Sequence, residues 1–170
     1  ENAKKSKKLS RIIFSTDDKI LQKKALKMGV SSPFIRPKYL SNDKASSFSV
    51  LRHATEWLKK NENWIADIVV LLQPTTPFRT SKHIDQVINL LISSKSDAAL
   101  TITDVDYPPH WMFYQKNKKL ICMIKNGNKF TRRQDCRDTF KPSGMIYVLK
   151  LKTLNILLKK DKILPFDKTY

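Results

Sequence analysis

Gln73 stands where an aliphatic run, Val69 to Leu72, gives way to the polar stretch PTTPFRT. A side-chain amide both donates and accepts, so it can hold a sugar hydroxyl or an acyl amide. Pro74 and Pro77 fix the backbone beside it and make a stiff platform. In open α/β sheets ligands gather beyond the carboxyl ends of strands, where loops and helix amino termini converge. A second use stays open on local grounds. The threonines and Ser81 of this stretch can simply cap the following helix.

The other chemistry-bearing residues are less organised. Asp104-Val105-Asp106 has an aspartate spacing that some glycosyltransferases use for metal, but here it follows a strand-like run and reads as a solvated turn. His53, His83 and His110 are far apart, and the first two fall at helical positions, so they read as packing or surface residues. Arg133 lies near Arg132 and Arg137, where a solvated basic turn is the plain reading. Cys122 and Cys136 form no CxxC or Cys/His cluster and read as thiols of a reduced, cytosolic protein. No Ser/His/Asp or Cys/His set has supporting context, which weighs against a hydrolase. No residue is assigned as the catalytic acid or base.

Elements that would position these residues follow from periodicity. Arg11 to Ser15 reads as a short buried strand. Asp17 or Asp18 caps a helix through Ile20, Leu21, Ala25, Leu26 and Met28, and Gly29 ends it. Residues 32–37, SPFIRP, form an extended piece between prolines. A second amphipathic helix carries Val50, Leu51, Ala54, Trp57 and Leu58, entered through Ser46 and Ser47. Ala66 to Leu72 is a strand, Ile84 to Ile92 a helix, and residues 97–105 a strand again. This alternation predicts a mainly parallel sheet with helices on its faces. After Tyr107 the chain turns aromatic and turn-rich, with a hairpin expected at Asn126-Gly127. Residues 144–150 return to a buried strand, and Leu151 to Lys160 is a short helix. The simplest parse is one domain over residues 1–170 with an inserted arm at about 105–143.

The 170 residues are 41% hydrophobic, enough for a core. No apolar run approaches the roughly 20 residues of a membrane span. The formal charge of +18 comes from 33 Lys and Arg against 15 Asp and Glu. The excess is mostly lysine spread along the chain, with no regular aromatic interleaving and no zinc-finger spacing. It reads as solvated faces serving a polyanionic small substrate, with nucleic-acid binding the rival.

Several stretches resemble the acylneuraminate cytidylyltransferases, the CMP-nonulosonate synthetases. LLQPTTPFRTSKHIDQVI resembles a motif of that family, flanked in order by IIFSTDDKIL, PFIRPKYLSNDKASSFSVLRHA, ITDVDYPPHW and RRQDCRDTFKPSGMIYV. The likeness covers nearly all of residues 11–150. It implies a Rossmann-like three-layer nucleotidyltransferase fold with an inserted dimerisation arm. It also implies transfer of CMP from CTP to an acidic nine-carbon sugar, with CMP-Kdo synthesis or another sugar nucleotidyl transfer as the neighbouring alternative. By motif match Arg36 and Ser47 would lie at the nucleotide side, and Gln73, Arg133 and Tyr147 at the sugar. Each has a plain rival: a surface turn for Arg36, a helix cap for Ser47, core packing for Tyr147. The resemblance further implies Mg²⁺ and a homodimer in the cytoplasm, with Arg133 reaching the partner's site. A Gly/Arg/Ser/Lys phosphate loop and a later Asp-x-Asp metal segment have no match here, since ENAKKSKKLS precedes Arg11 and neither Asp161 nor Asp167 fits. Ser143 also replaces an Asn before Gly144. The 170 residues alone are therefore expected to be inactive or nearly so.

Overall fold

The computed structural model describes residues 1–159, which divide into two units: residues 1–100 with the chain from Met145 onward, and Thr101–Gly144.

In the first unit, α1 spans Lys19–Lys27 and α2 spans Ser47–Glu62. Then come β1 (Ile68–Leu71), α3 (Ser81–Ser93) and the start of β2 (Ala98–Asp104). The chain returns through β5 (Phe140–Lys150) into α4 (Leu151–Lys159). Caps set most of these boundaries. The Asp18 carboxylate accepts from the amides of Ile20 (2.6 Å) and Leu21 (3.2 Å). Gly29 follows α1 at a φ of 68°, which a residue with a Cβ rarely adopts. Ser46 caps α2 through the Ser49 amide at 3.1 Å.

Strand alternation splits the core into two layers. Ile68, Val70, Ala99, Ile146 and Val148 face α3, whose Ile84, Val87, Ile88 and Leu91 are buried against them. Val69, Ala98, Tyr147 and Leu149 face the other way, toward Phe48 of α2 and Leu154 and Leu157 of α4. Helices thus cover both faces of the sheet, as the alternating pattern predicts.

The sheet itself departs from that prediction. Its order is β1-β5-β2. β5 is antiparallel to β1, in the register Val69↔Leu149 and Leu71↔Tyr147. Toward β2 it also runs antiparallel: Ser143 bonds to Thr101, and the Val105 amide donates to the Thr139 carbonyl at 3.3 Å. The reason is the connection. A parallel neighbour needs a crossover, usually a helix, as α3 supplies between β1 and β2. Residues 105–139 contain a hairpin and single 3₁₀ turns but no α-helix, so the chain comes back reversed. Residues 11–15 also fall short of a strand, with only the parallel bridge Ile13↔Ser31 formed among the described residues.

The amino-terminal segment is fastened onto α3. Ala3 and Leu9 pack on the α3 core, and the Asn2 side chain donates to the Arg79 carbonyl at 2.8 Å. Asp85 accepts from the Ser6 hydroxyl (2.5 Å) and from the Lys7 amide (3.1 Å). The Ser6 hydrogen bond, then the Lys7 and Lys8 amides, hold its carboxyl below the usual value. A depressed carboxyl contributes above its unfolded pKa, near 3.9, and the contribution is lost as pH falls through the lower folded value. Protection of the Lys7 and Lys8 amides, corrected for intrinsic exchange, is thus expected to hold from pH 7 to 5 and drop below about pH 4. Asp85→Asn should lower it at neutral pH. Unchanged protection in both experiments would contradict this attachment.

In the second unit β3 (Phe113–Lys116) and β4 (Lys119–Cys122) form an antiparallel hairpin. Its turn is Asn117-Lys118, with φ of 49° and 61°, and not Asn126-Gly127. Positive φ at both central residues gives the twist of a two-residue hairpin loop. Asn126-Gly127 instead opens the single 3₁₀ turn Gly127–Lys129.

Candidate functional site

The polar tip after β1 has two jobs. Thr80 caps α3: its hydroxyl accepts from the His83 amide at 3.2 Å, and His83 Nδ1 accepts from the Thr80 amide at 3.3 Å. So the capping use is real, for Thr80. Residues 73–79 form a turn of their own, built around Arg79. Arg79 Nη1 donates to the carbonyls of Gln73 (2.6 Å) and Thr76 (2.9 Å). The Thr76 hydroxyl (3.1 Å) and the Met145 carbonyl on β5 (3.4 Å) lie within its reach. Desolvation by burial pushes the Arg79 pKa down. Sequence reasoning gave this arginine no role. Gln73, half-buried, emerges from the clamped turn just past the end of β1. Tyr147 sits opposite Leu71, two residues before Gln73, and is half-buried against the α2/α4 core layer.

Arg36 belongs to an extended segment laid beside residues 14–16. The Phe14 amide donates to the Ser31 carbonyl (2.8 Å), and the Arg36 amide to the Thr16 carbonyl (2.8 Å). Its guanidinium is tied down, with Nη2 to Asp17 at 3.1 Å and Nε to the Ser41 hydroxyl at 3.1 Å. The Arg36 hydrogen bond holds the Asp17 carboxyl below its ordinary value. Arg36 is thus no loose surface residue: its side chain is 24% exposed, and Nη1 has no bond among the described residues. Phe34 of the same segment packs edge-on against His53 at 4.8 Å and against Trp57 at 5.4 Å. Burial, with Arg36 adding to it, lowers the His53 pKa, so the ring favours its neutral form.

Ser47 is the exposed first residue of α2, but Ser46 supplies the cap. The Ser47 hydroxyl is therefore not consumed by capping. Beside the helix's amino terminus is an open hollow of about 470 Å³. Lys44, Ser46, Ser49 and Arg52 line it, with Tyr39 and Leu158. Sequence reasoning chose Ser47 and passed over these neighbours. Neither Ser47 nor Arg36 is on that lining.

Arg133 is in the second unit and lines a small hollow of about 70 Å³ with Asp104, Cys136, Arg137 and Asp138. It makes no ion pair among the described residues, whereas Arg132 pairs with Asp135 at 2.9 Å. Asp106 is taken up by Lys141 at 3.5 Å. Mg²⁺ at nucleotide sites is held by one or two carboxylates together with waters and substrate phosphates. Among the described residues no group of three or more His, Cys, Asp or Glu comes together. Asp161 and Asp167 lie outside the described residues. The described residues thus form no multi-carboxylate cage for a cation. Among the same residues no helix is long and apolar enough to cross a membrane.

A family model described as Cytidylyltransferase matches residues 1–166. The chain belongs to the cytidylyltransferase family. It is 31% identical over 147 residues to a pseudaminic acid cytidylyltransferase of Campylobacter jejuni subsp. jejuni serotype O:2, covering 86% of this chain and 63% of that protein. It is 28% identical over 142 residues to an N-acylneuraminate cytidylyltransferase of Streptococcus agalactiae serotype III, covering 84% of this chain and 33% of that one. The chain thus spans less than two thirds of both proteins. These relatives agree with the acylneuraminate branch suggested by the motifs. Among solved structures, a CMP:2-keto-3-deoxy-manno-octonic acid synthetase complexed with CTP superimposes with a TM-score of 0.64 at 15% identity, over 98% of this chain and 67% of that one. That likeness carries the nucleotidyltransferase fold to this cytidylyltransferase chain.

Proposed function

We propose that the chain carries the sugar and base side of a cytidylyltransferase that moves CMP from CTP to an acidic nine-carbon sugar. One observation carries this reading: Gln73 is held, by an arginine clamp, past the carboxyl end of β1 in a chain of this family. A sugar hydroxyl oxygen bonds to the α-phosphorus, the bond from that phosphorus to the pyrophosphate oxygen breaks, and the hydroxyl proton goes to solvent. Such a step needs in-line positioning and charge neutralisation more than covalent help. Gln73 would orient the sugar through its amide, and Tyr147 would line the same pocket. Arg133 would meet the carboxylate, which a planar guanidinium can bind through two oxygens. Arg36, braced by Asp17, and Ser47 would serve the nucleotide. The reading includes a homodimer in which the arm carrying Arg133 serves the partner's site.

The test is equilibrium titration with the four nucleoside triphosphates, then with N-acetylneuraminic, legionaminic and pseudaminic acids and Kdo. CTP is expected to bind roughly tenfold more tightly than the others, about 1.4 kcal/mol. A nine-carbon acid should bind ahead of Kdo. Turnover by the 170 residues alone is proposed to stay near background, because no phosphate loop or Asp-x-Asp pair matches among them. Absence of CTP binding, with oligonucleotide binding that falls steeply with salt, would replace this reading by a basic nucleic-acid-binding module.

A further inference from the structure

We propose that Arg79 is a positioning residue that sets affinity for the acidic sugar by fixing where Gln73 starts; this rests on the reading just given. Arg79 Nη1 is turned onto the backbone of its own turn and of β5. Its two shortest bonds, 2.6 Å to Gln73 and 2.9 Å to Thr76, close the turn from inside. Its position 3.4 Å from the Met145 carbonyl ties that turn to β5, two residues before Tyr147. The two proposed sugar contacts of this unit, Gln73 and Tyr147, are thus referred to one guanidinium. Pro74 and Pro77 restrict φ on either side of Thr75 and Thr76, but proline cannot fix how the whole turn leans on the sheet. Arg79 adds a restraint of that kind, and its own carbonyl is held by Asn2 at 2.8 Å.

Lysine is the discriminating substitution. It keeps the charge, but its stem is one atom shorter than the path to Nη1, so the ammonium falls short of the acceptors that Nη1 meets in Gln73, Thr76 and Met145. A residue that merely fills space or adds charge would tolerate it. Small displacements of a binding group are costly, so Arg79→Lys is expected to weaken sugar binding roughly tenfold. CTP affinity should stay within about twofold, since Arg36 and Ser47 are braced by separate segments.

The experiment titrates wild type, Arg79→Lys and Arg79→Ala with CTP and with the nonulosonic acid that wild type binds best, followed by saturation-transfer NMR. Exchange at the Thr76 amide, which donates to the Gln73 carbonyl at 3.5 Å, is read in parallel. The expected result is faster Thr76 exchange in both variants and a selective loss of sugar affinity. Added guanidinium should restore part of that affinity to Arg79→Ala. Equal sugar affinity in all three proteins overturns the inference while leaving the proposed function standing. So does an equal loss for CTP and sugar, which marks a general structural role. Wild type that binds CTP but none of the acids overturns the sugar assignment and the inference with it.

Discussion

Leu149→Ala is expected to lower the unfolding free energy by about 2–5 kcal/mol, the range for deleting a buried leucine side chain. Leu149 has 0% exposure on β5, the central strand of its three-stranded sheet. It pairs with Val69 across the antiparallel register. It packs in the layer that holds Phe48 of α2, Ala98 of β2, and Leu154 and Leu157 of α4. Neighbours on both flanking strands and two helices cannot all move inward, so the cavity stays open and the cost sits toward the upper end. A domain of this size has roughly 5–15 kcal/mol in hand, so one truncation removes a large share. Urea unfolding followed by far-UV circular dichroism reads it: the midpoint should fall with the slope unchanged. A loss under about 1 kcal/mol would mean that the α2/α4 layer collapses around the gap or is not close-packed.

The same residues show which parts of the fold could be read in advance. Val70 and Val148 against α3, and Val69 and Leu149 against α2 and α4, belong to continuous apolar runs, which mark strands covered on both faces. Caps at Asp18, Ser46 and Thr80 are local, and side-chain chemistry announces them. Strand direction is different. Residues 144–150 have the same apolar pattern whichever way they run, and only the lack of a helical crossover after β2 reverses them. The sequence points to the wrong Asn for the hairpin because the first strand, Phe113–Lys116, is exposed at every position and has no inward face to betray it. At the site, Ser46 and Ser47 are adjacent serines, and only the geometry shows which one caps. Arg79 was invisible for a deeper reason. Its partners are backbone carbonyls, one of them 66 residues away, and a carbonyl leaves no mark in side-chain identity.

Gly127→Ala is expected to disrupt the second unit while leaving the first nearly unchanged. A Cβ built on Gly127 would stand 2.4 Å from the His110 carbonyl oxygen and 3.2 Å from its carbon. Those are backbone atoms, so no side-chain rotation relieves the clash, and the turns Pro109–Trp111 and Gly127–Lys129 must separate. Their contact includes the Trp111 indole N–H donating to the Phe130 carbonyl at 2.5 Å, and the His110 and Phe130 rings at 4.4 Å. Overpacking of this kind costs roughly 1–3 kcal/mol, and more where the backbone has to shift. The chain's three tryptophans separate the outcomes, because Trp111 is in the second unit while Trp57 and Trp64 are in the first. In a two-dimensional NMR spectrum the Trp111 indole proton should shift and lose exchange protection, with the other two unmoved. Arg133 belongs to the disrupted unit, so if it grips the sugar's carboxylate, sugar affinity should fall with the Trp111 signal while CTP affinity persists. Three unmoved indole signals would show that the turns tolerate a methyl group and that the close approach at His110 is not a constraint on the arm.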